Sequence, residues 1–244
     1  MIMSKLSVGS SISVLILLLV VNIAAQTKTI VTFGDSITAK RKGVKVYSDL
    51  IKEEFDKKGI PVNVVNKGIN GNTTDHAKAR FQKDVLDQRP DLVIIQFGTN
   101  DSAYDVWKDP PATKPRVDIK VYEKNLRSFI KALKKQRSKV ILVVPPPLVW
   151  TEKLIGMYGK PPFDPTKRDG FNVSLKRYNK VIRKIARSEK VPLVDLFKAY
   201  QEYDSIKGQT MDALLPDGMH PNSEGQKIEA DLLINIIKKM DLGL

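Results

Sequence analysis

Four short polar clusters in this chain have residue types that could together run nucleophilic acyl chemistry. Gly34-Asp35-Ser36-Ile37 places a serine on a tight turn after an apolar run. There a hydroxyl and a backbone N–H both face outward, which suits a nucleophile and one oxyanion donor. Asn66-Lys67-Gly68-Ile69-Asn70-Gly71-Asn72 supplies glycines that permit positive φ and let a backbone N–H approach a ligand. Gly98-Thr99-Asn100-Asp101 supplies a side-chain amide able to donate to a developing oxyanion. Asp217-Gly218-Met219-His220 sets a carboxylate and an imidazole three apart across a glycine turn, where the carboxylate can orient the ring. Taken singly, each cluster reads first as an ordinary turn, loop or helix cap, and a lone histidine is more often structural. His76, early in an expected helix with no carboxylate to orient it, reads as a surface residue or a bystander near the pocket.

The elements that must position these clusters alternate between β-rich and amphipathic runs. Strands are expected at Thr29–Phe33, Val62–Val65, Asp91–Phe97, Val140–Val144 and Pro192–Asp195. Helices are expected near Val46–Lys58, Thr74–Leu86, Ile119–Gln136, Asn172–Ser188 and Ser223–Lys239. Such alternation predicts a parallel sheet with helices on both faces, in one domain from residue 26 onward. Three of the clusters follow strands, and the fourth precedes the last helix. Two long insertions, Ser102–Asp118 and Pro145–Gly170, also follow strand ends, where open α/β sheets place ligand sites.

Composition narrows the classes. With 244 residues, 42% hydrophobic and 28% charged, the chain can bury a sizeable core without staples. It has no cysteine, which excludes disulfides, thiolate zinc sites and cysteine nucleophiles, and its two histidines argue against a multi-histidine metal site. A net charge of +14 suits acidic partners, yet the basic residues alternate with apolar ones along helical stretches and read as solvated faces. No recognition motif or concentrated basic patch points to nucleic acid. Lys5, an apolar core at Val14–Val21 and small residues ending at Ala25 describe a secretory signal peptide over residues 1–25. The apolar core is shorter than a membrane span, so export is expected, to the periplasm or beyond, without stable insertion. Asn72-Thr73-Thr74 and Asn172-Val173-Ser174 match the N-glycosylation pattern.

The four clusters, in this order, resemble the blocks of the SGNH hydrolases, also called the GDSL esterase/lipase family. The resemblance spans about residues 28–240. It implies a three-layer α/β/α sandwich with a flavodoxin-like, five-stranded parallel sheet. It implies Ser36 as nucleophile, His220 as general base and Asp217 as its orienting acid, with Asp35 and Asp101 supporting. The oxyanion hole would be the N–H groups of Ser36 and Gly71 and the amide of Asn100, and no cofactor is implied. Gly98–Ser102 and the Arg116…Tyr122-Glu123-Lys124-Asn125-Leu126 stretch are similar to the isoamyl-acetate-hydrolysing and carbohydrate-acetyl-esterase branches.

No extended apolar run flanks the clusters, so the expected substrate is a short-chain ester, acetyl above all. Export and aromatic-bearing loops (Tyr104, Trp107, Trp150, Phe163) suit a carbohydrate ester. The net charge left without Lys5, +13, would fit an acidic glycan. The rival readings are a lysophospholipase or short-chain lipase, an acyltransferase, and a non-catalytic glycan-binding protein.

Overall fold

The computed structural model describes residues 27–240 and 242; the expected signal peptide lies outside them. Five parallel strands run in the order β2-β1-β3-β4-β5: β1 Lys28–Gly34, β2 Val62–Gly68, β3 Leu92–Gln96, β4 Lys139–Val144 and β5 Leu193–Asp195. The helices are α1 Tyr47–Lys57, α2 Thr74–Asp84, α3 Ile119–Lys135, α4 Glu152–Tyr158, α5 Leu175–Glu189, α6 Leu196–Asp204, α7 Met211–Leu214 and α8 Ser223–Ile237.

The strands are continuous apolar runs because helices cover both faces. Side chains alternate across the sheet. Val31, Phe33, Val93 and Ile95 face a core shared with Phe81 of α2, Phe129 of α3 and Ile182 of α5. Ile30, Leu92, Ile94 and Ile141 face the opposite core, closed by Ile51 and Phe55 of α1 and Leu233 and Ile237 of α8. This is the expected three-layer sandwich. Each buried side chain of this size contributes about 1.5–3 kcal/mol, so the two cores fix where the strand ends sit.

Three differences from the sequence reading bear on the site. The Pro145–Gly170 insertion is partly ordered as α4, capped by Thr151. The helix expected from Asn172 begins at Leu175, after a 3-10 turn at Arg168–Asn172. Two helices, α6 and α7, fill the stretch between β5 and the histidine loop. Asp195 ends β5 and also caps α6, accepting the Lys198 N–H at 3.1 Å, so no turn residues separate strand from helix.

Candidate active site

Chain reversal between β1 and β3, which follow different neighbours on either side, opens a crevice at the carboxyl edge of the sheet. Ser36 lies just beyond β1, Gly71 beyond β2 and Asn100 beyond β3. The β1 exit is tight. A Cβ on Gly34 would stand 2.1 Å from Thr38 Oγ1, so the turn that presents Ser36 closes only over a glycine. Asp35, buried beneath it, accepts the Ile37 N–H at 2.9 Å and pins the turn from inside. Burial raises the Asp35 pKa to about 7 against the lowering effect of that N–H, and the neighbouring Asp101 charge adds to the rise.

His220 arrives on the loop between α7 and α8. Its Nε2 is 2.9 Å from Ser36 Oγ, and its Nδ1 is 2.7 Å from Asp217 Oδ2. Asp217 Oδ1 accepts the backbone N–H groups of Met219 and His220 at 2.9 and 2.7 Å. Partial burial pushes the Asp217 carboxyl up, but the bonds from His220 and Met219 outweigh it and hold the carboxyl below its usual range. Gly218 makes this three-residue return with φ +83°, a conformation that side chains disfavour. The structure thus brings together all three residues that the sequence spacing suggested for proton transfer.

Asn100 Nδ2 donates to Asn72 O at 3.2 Å and lies 3.4 Å from Asp35 Oδ2. Gly71 has φ +72° and borders the same cavity as Ser36, Asn100 and His220. Asp101 points away from the cavity: its Oδ1 accepts the N–H and hydroxyl of Thr74 at 2.8 and 2.5 Å, tying β3's exit to α2. Burial raises its pKa to about 6 against those two bonds. His76 stands apart and completes a capping box at the start of α2 with Thr73. Asn172 is buried, and its amide bonds the N–H and C=O of Leu148 at 2.8 and 2.7 Å, so the folded chain does not present it for glycosylation.

Sequence reasoning missed three supporting residues. Arg41 Nη2 donates to Pro221 O at 2.6 Å, clamping the serine loop to the histidine loop. Gln226 of α8 accepts the Tyr47 N–H at 2.7 Å and donates to Ile37 O at 3.1 Å, a second clamp beside Ser36. Arg116 donates to Asn100 Oδ1 at 3.0 Å. A signal existed for Gln226: with Glu229 it occupies the same helical face as Ala230, Leu233 and Ile237, and polar residues on a core face need a reason.

The cavity holds about 360 Å³, within the size range of small-molecule sites. One wall is apolar: Leu148, Tyr158, Phe163, Phe171, Leu175 and Met219. Trp150 does not line it; its ring stacks on Phe171 at 4.3 Å, and its Nε1 donates to Lys167 O. The aromatic residues of the second insertion therefore pack on one another and present one face to the cavity.

A parallel five-stranded α/β sandwich with Ser, His and Asp in hydrogen-bonded sequence at its carboxyl edge defines a class of hydrolases. Residues 32–228 match the GDSL-like lipase/acylhydrolase family, and the chain belongs to it. Among curated proteins it is 34% identical to an acetylxylan esterase of Geobacillus stearothermophilus, over 70% of this chain and 70% of that one. It is also 34% identical to the uncharacterized lipoprotein YqeF of Bacillus subtilis, over 68% and 70% respectively. The solved structure of Axe2, the acetylxylan esterase of Geobacillus stearothermophilus, superposes with a TM-score of 0.68 at 27% identity, covering 86% of this chain and 94% of that one. The chain is a carboxylic ester hydrolase of the SGNH type.

Proposed function

We propose that the chain is an exported serine esterase that removes short acyl groups, acetyl above all, from carbohydrate. The observation that carries this reading is the continuous relay Asp217–His220–Ser36, with contacts of 2.7 and 2.9 Å, at the mouth of the cavity. Ser36 Oγ attacks the ester carbonyl while His220 Nε2 takes its proton, and Asp217 steadies the imidazolium that forms. The N–H groups of Ser36 and Gly71 and the Asn100 amide then hold the tetrahedral oxyanion. The protonated His220 returns its proton to the departing alcohol, leaving an acyl-serine. Water, deprotonated by the same imidazole, releases the acid and restores Ser36.

The carbohydrate half of the proposal draws support from the acetylxylan esterases to which the chain is similar in sequence and fold. One related structure is described as a catalytic mutant of Axe2 in which a serine is replaced by alanine, consistent with a serine nucleophile here. Among the described residues no helix is long and apolar enough to cross a membrane. The expected partners are glycan or small-molecule esters, with neither nucleic acid nor stable membrane insertion.

The apolar wall favours a second reading, a short-chain lipase or lysophospholipase. The deciding experiment compares p-nitrophenyl acetate, butyrate and octanoate and acetylated xylo-oligosaccharides, using the chain from residue 26 and its Ser36→Ala variant. Acetate turnover that falls with chain length and vanishes in the variant supports the proposal. A preference for octanoate moves the reading to lipid, and activity that survives loss of Ser36 overturns it.

A further inference from the structure

We propose that Arg116 is a positioning residue that fixes the Asn100 amide for oxyanion stabilisation. The inference rests on reading Asn100 as an oxyanion donor. The loop after β3 folds back on itself: Arg116 N–H donates to Ala103 O at 2.9 Å and Val117 N–H to Asp101 O at 3.1 Å. This return carries the Arg116 guanidinium to the cavity rim beside Asn100. There Nη1 donates to Asn100 Oδ1 at 3.0 Å, while Nε and Nη2 donate to Asp105 Oδ1 at 2.9 and 2.7 Å. Asp105 is in turn paired with Lys108 at 2.8 Å, so the fork is anchored on its far side.

Three effects follow from that geometry. A carboxamide can present either its oxygen or its nitrogen to an oxyanion, and the two differ only by a flip. Guanidinium is a donor with no acceptor, so it is satisfied by Asn100 Oδ1 and would oppose the flipped NH₂. The Nδ2 protons are thereby kept on the side away from Arg116, toward Asn72 O and Asp35 Oδ2. Donation to the amide oxygen also draws electron density through the amide and strengthens its N–H as a donor. Finally, the positive charge lies one amide away from where negative charge develops. The resting contacts of Nδ2, at 3.2 and 3.4 Å, are long, so an oxyanion competes well for the same protons. A lysine has a single ammonium and cannot reproduce a fork that bonds Asn100 and Asp105 together.

The test measures kcat and KM on p-nitrophenyl acetate, with thermal melting, for wild type, Arg116→Ala, Arg116→Lys, Asn100→Ala and the Arg116→Ala/Asn100→Ala double variant. Arg116→Ala is expected to lower kcat about 10- to 100-fold, the worth of one hydrogen bond to a charged group, with KM unchanged. Arg116→Lys should recover part of that loss, and it carries the test if the alanine variant melts. Asn100→Ala alone should cost about 10²–10³-fold, and adding Arg116→Ala to it should cost less than about twofold further. Additive losses, or a KM rise that persists without Asn100, would mean that Arg116 acts on its own and overturn the proposal. Wild-type kcat in both Arg116 variants overturns it as well. An Asn100→Ala variant of full activity removes the oxyanion reading itself, and the role of Arg116 with it.

Discussion

Asp217 grips His220 at both ends, accepting its backbone N–H on Oδ1 and meeting ring Nδ1 with Oδ2, each at 2.7 Å. One side chain therefore fixes both the loop that carries the imidazole and the ring's rotation. Asp217→Asn keeps an oxygen for the backbone but can set an amide N–H against Nδ1, which favours the wrong tautomer. The expected loss is about 10⁴-fold in kcat with KM little changed. Steady-state kinetics on p-nitrophenyl acetate check it, and a loss under tenfold would remove Asp217 from the relay.

Gly218 makes that grip possible. An alanine there would carry a φ near +83°, and its Cβ would stand 2.4 Å from Leu154 Cδ1 and 2.5 Å from Val149 O. The loop must open, at a cost of about 1–3 kcal/mol in stability. Gly218→Ala is expected to lower the melting temperature and kcat together, because the same displacement carries His220 away from Ser36. Retained kcat with reduced stability would show that the loop tolerates the shift.

Burial gives Asp35 a pKa of about 7 in the folded chain, above its unfolded value. The native state then holds this proton more tightly than the unfolded state does. The group's contribution to stability is accordingly fully present below pH 4 and is lost as pH rises to about 7. Asp35→Asn removes the titration. The variant's melting temperature minus that of wild type should climb between pH 4 and pH 7 and stay level above it. A difference that is flat across the window would refute the burial argument.

Phe163 is buried in the cavity wall and meets Tyr158, Phe171 and Tyr104 edge-on, with ring centroids 5.4–6.2 Å apart. Phe163→Ala should cost about 3–5 kcal/mol in stability and lengthen the apolar side of the pocket. Relative kcat/KM for butyrate and octanoate over acetate is expected to rise. An unchanged chain-length profile would place the acyl group on the opposite side of Ser36.

The strands, and the gathering of the polar clusters at one edge of the sheet, were legible because each depends on local pattern: an unbroken apolar run, a glycine turn, a carboxylate three residues from an imidazole. Helix α6 was not, since Asp195 serves as both strand end and cap and leaves no break to read. The clamps made by Arg41 and Arg116 were not legible, and the core-face position of Gln226 flagged a buried role without naming its partners. Their partners Pro221, Asn100 and Ile37 are set by loops that return from elsewhere in the chain, and a long polar side chain announces no partner in sequence. His76 was legible as separate from the chemistry, but its capping role depends on a bond to Thr73 that only the folded backbone defines.

The hydrogen bond from His220 to Ser36 joins residues 184 positions apart. Ser36 follows the first strand, whereas His220 is held by the loop that leads into the last helix. A growing chain therefore completes all five strands of its sheet before His220 is made, and on the proposed mechanism Ser36 gains its base only once the loop before α8 is in place. On that mechanism, a chain lacking this loop keeps the serine without the imidazole that would take its proton.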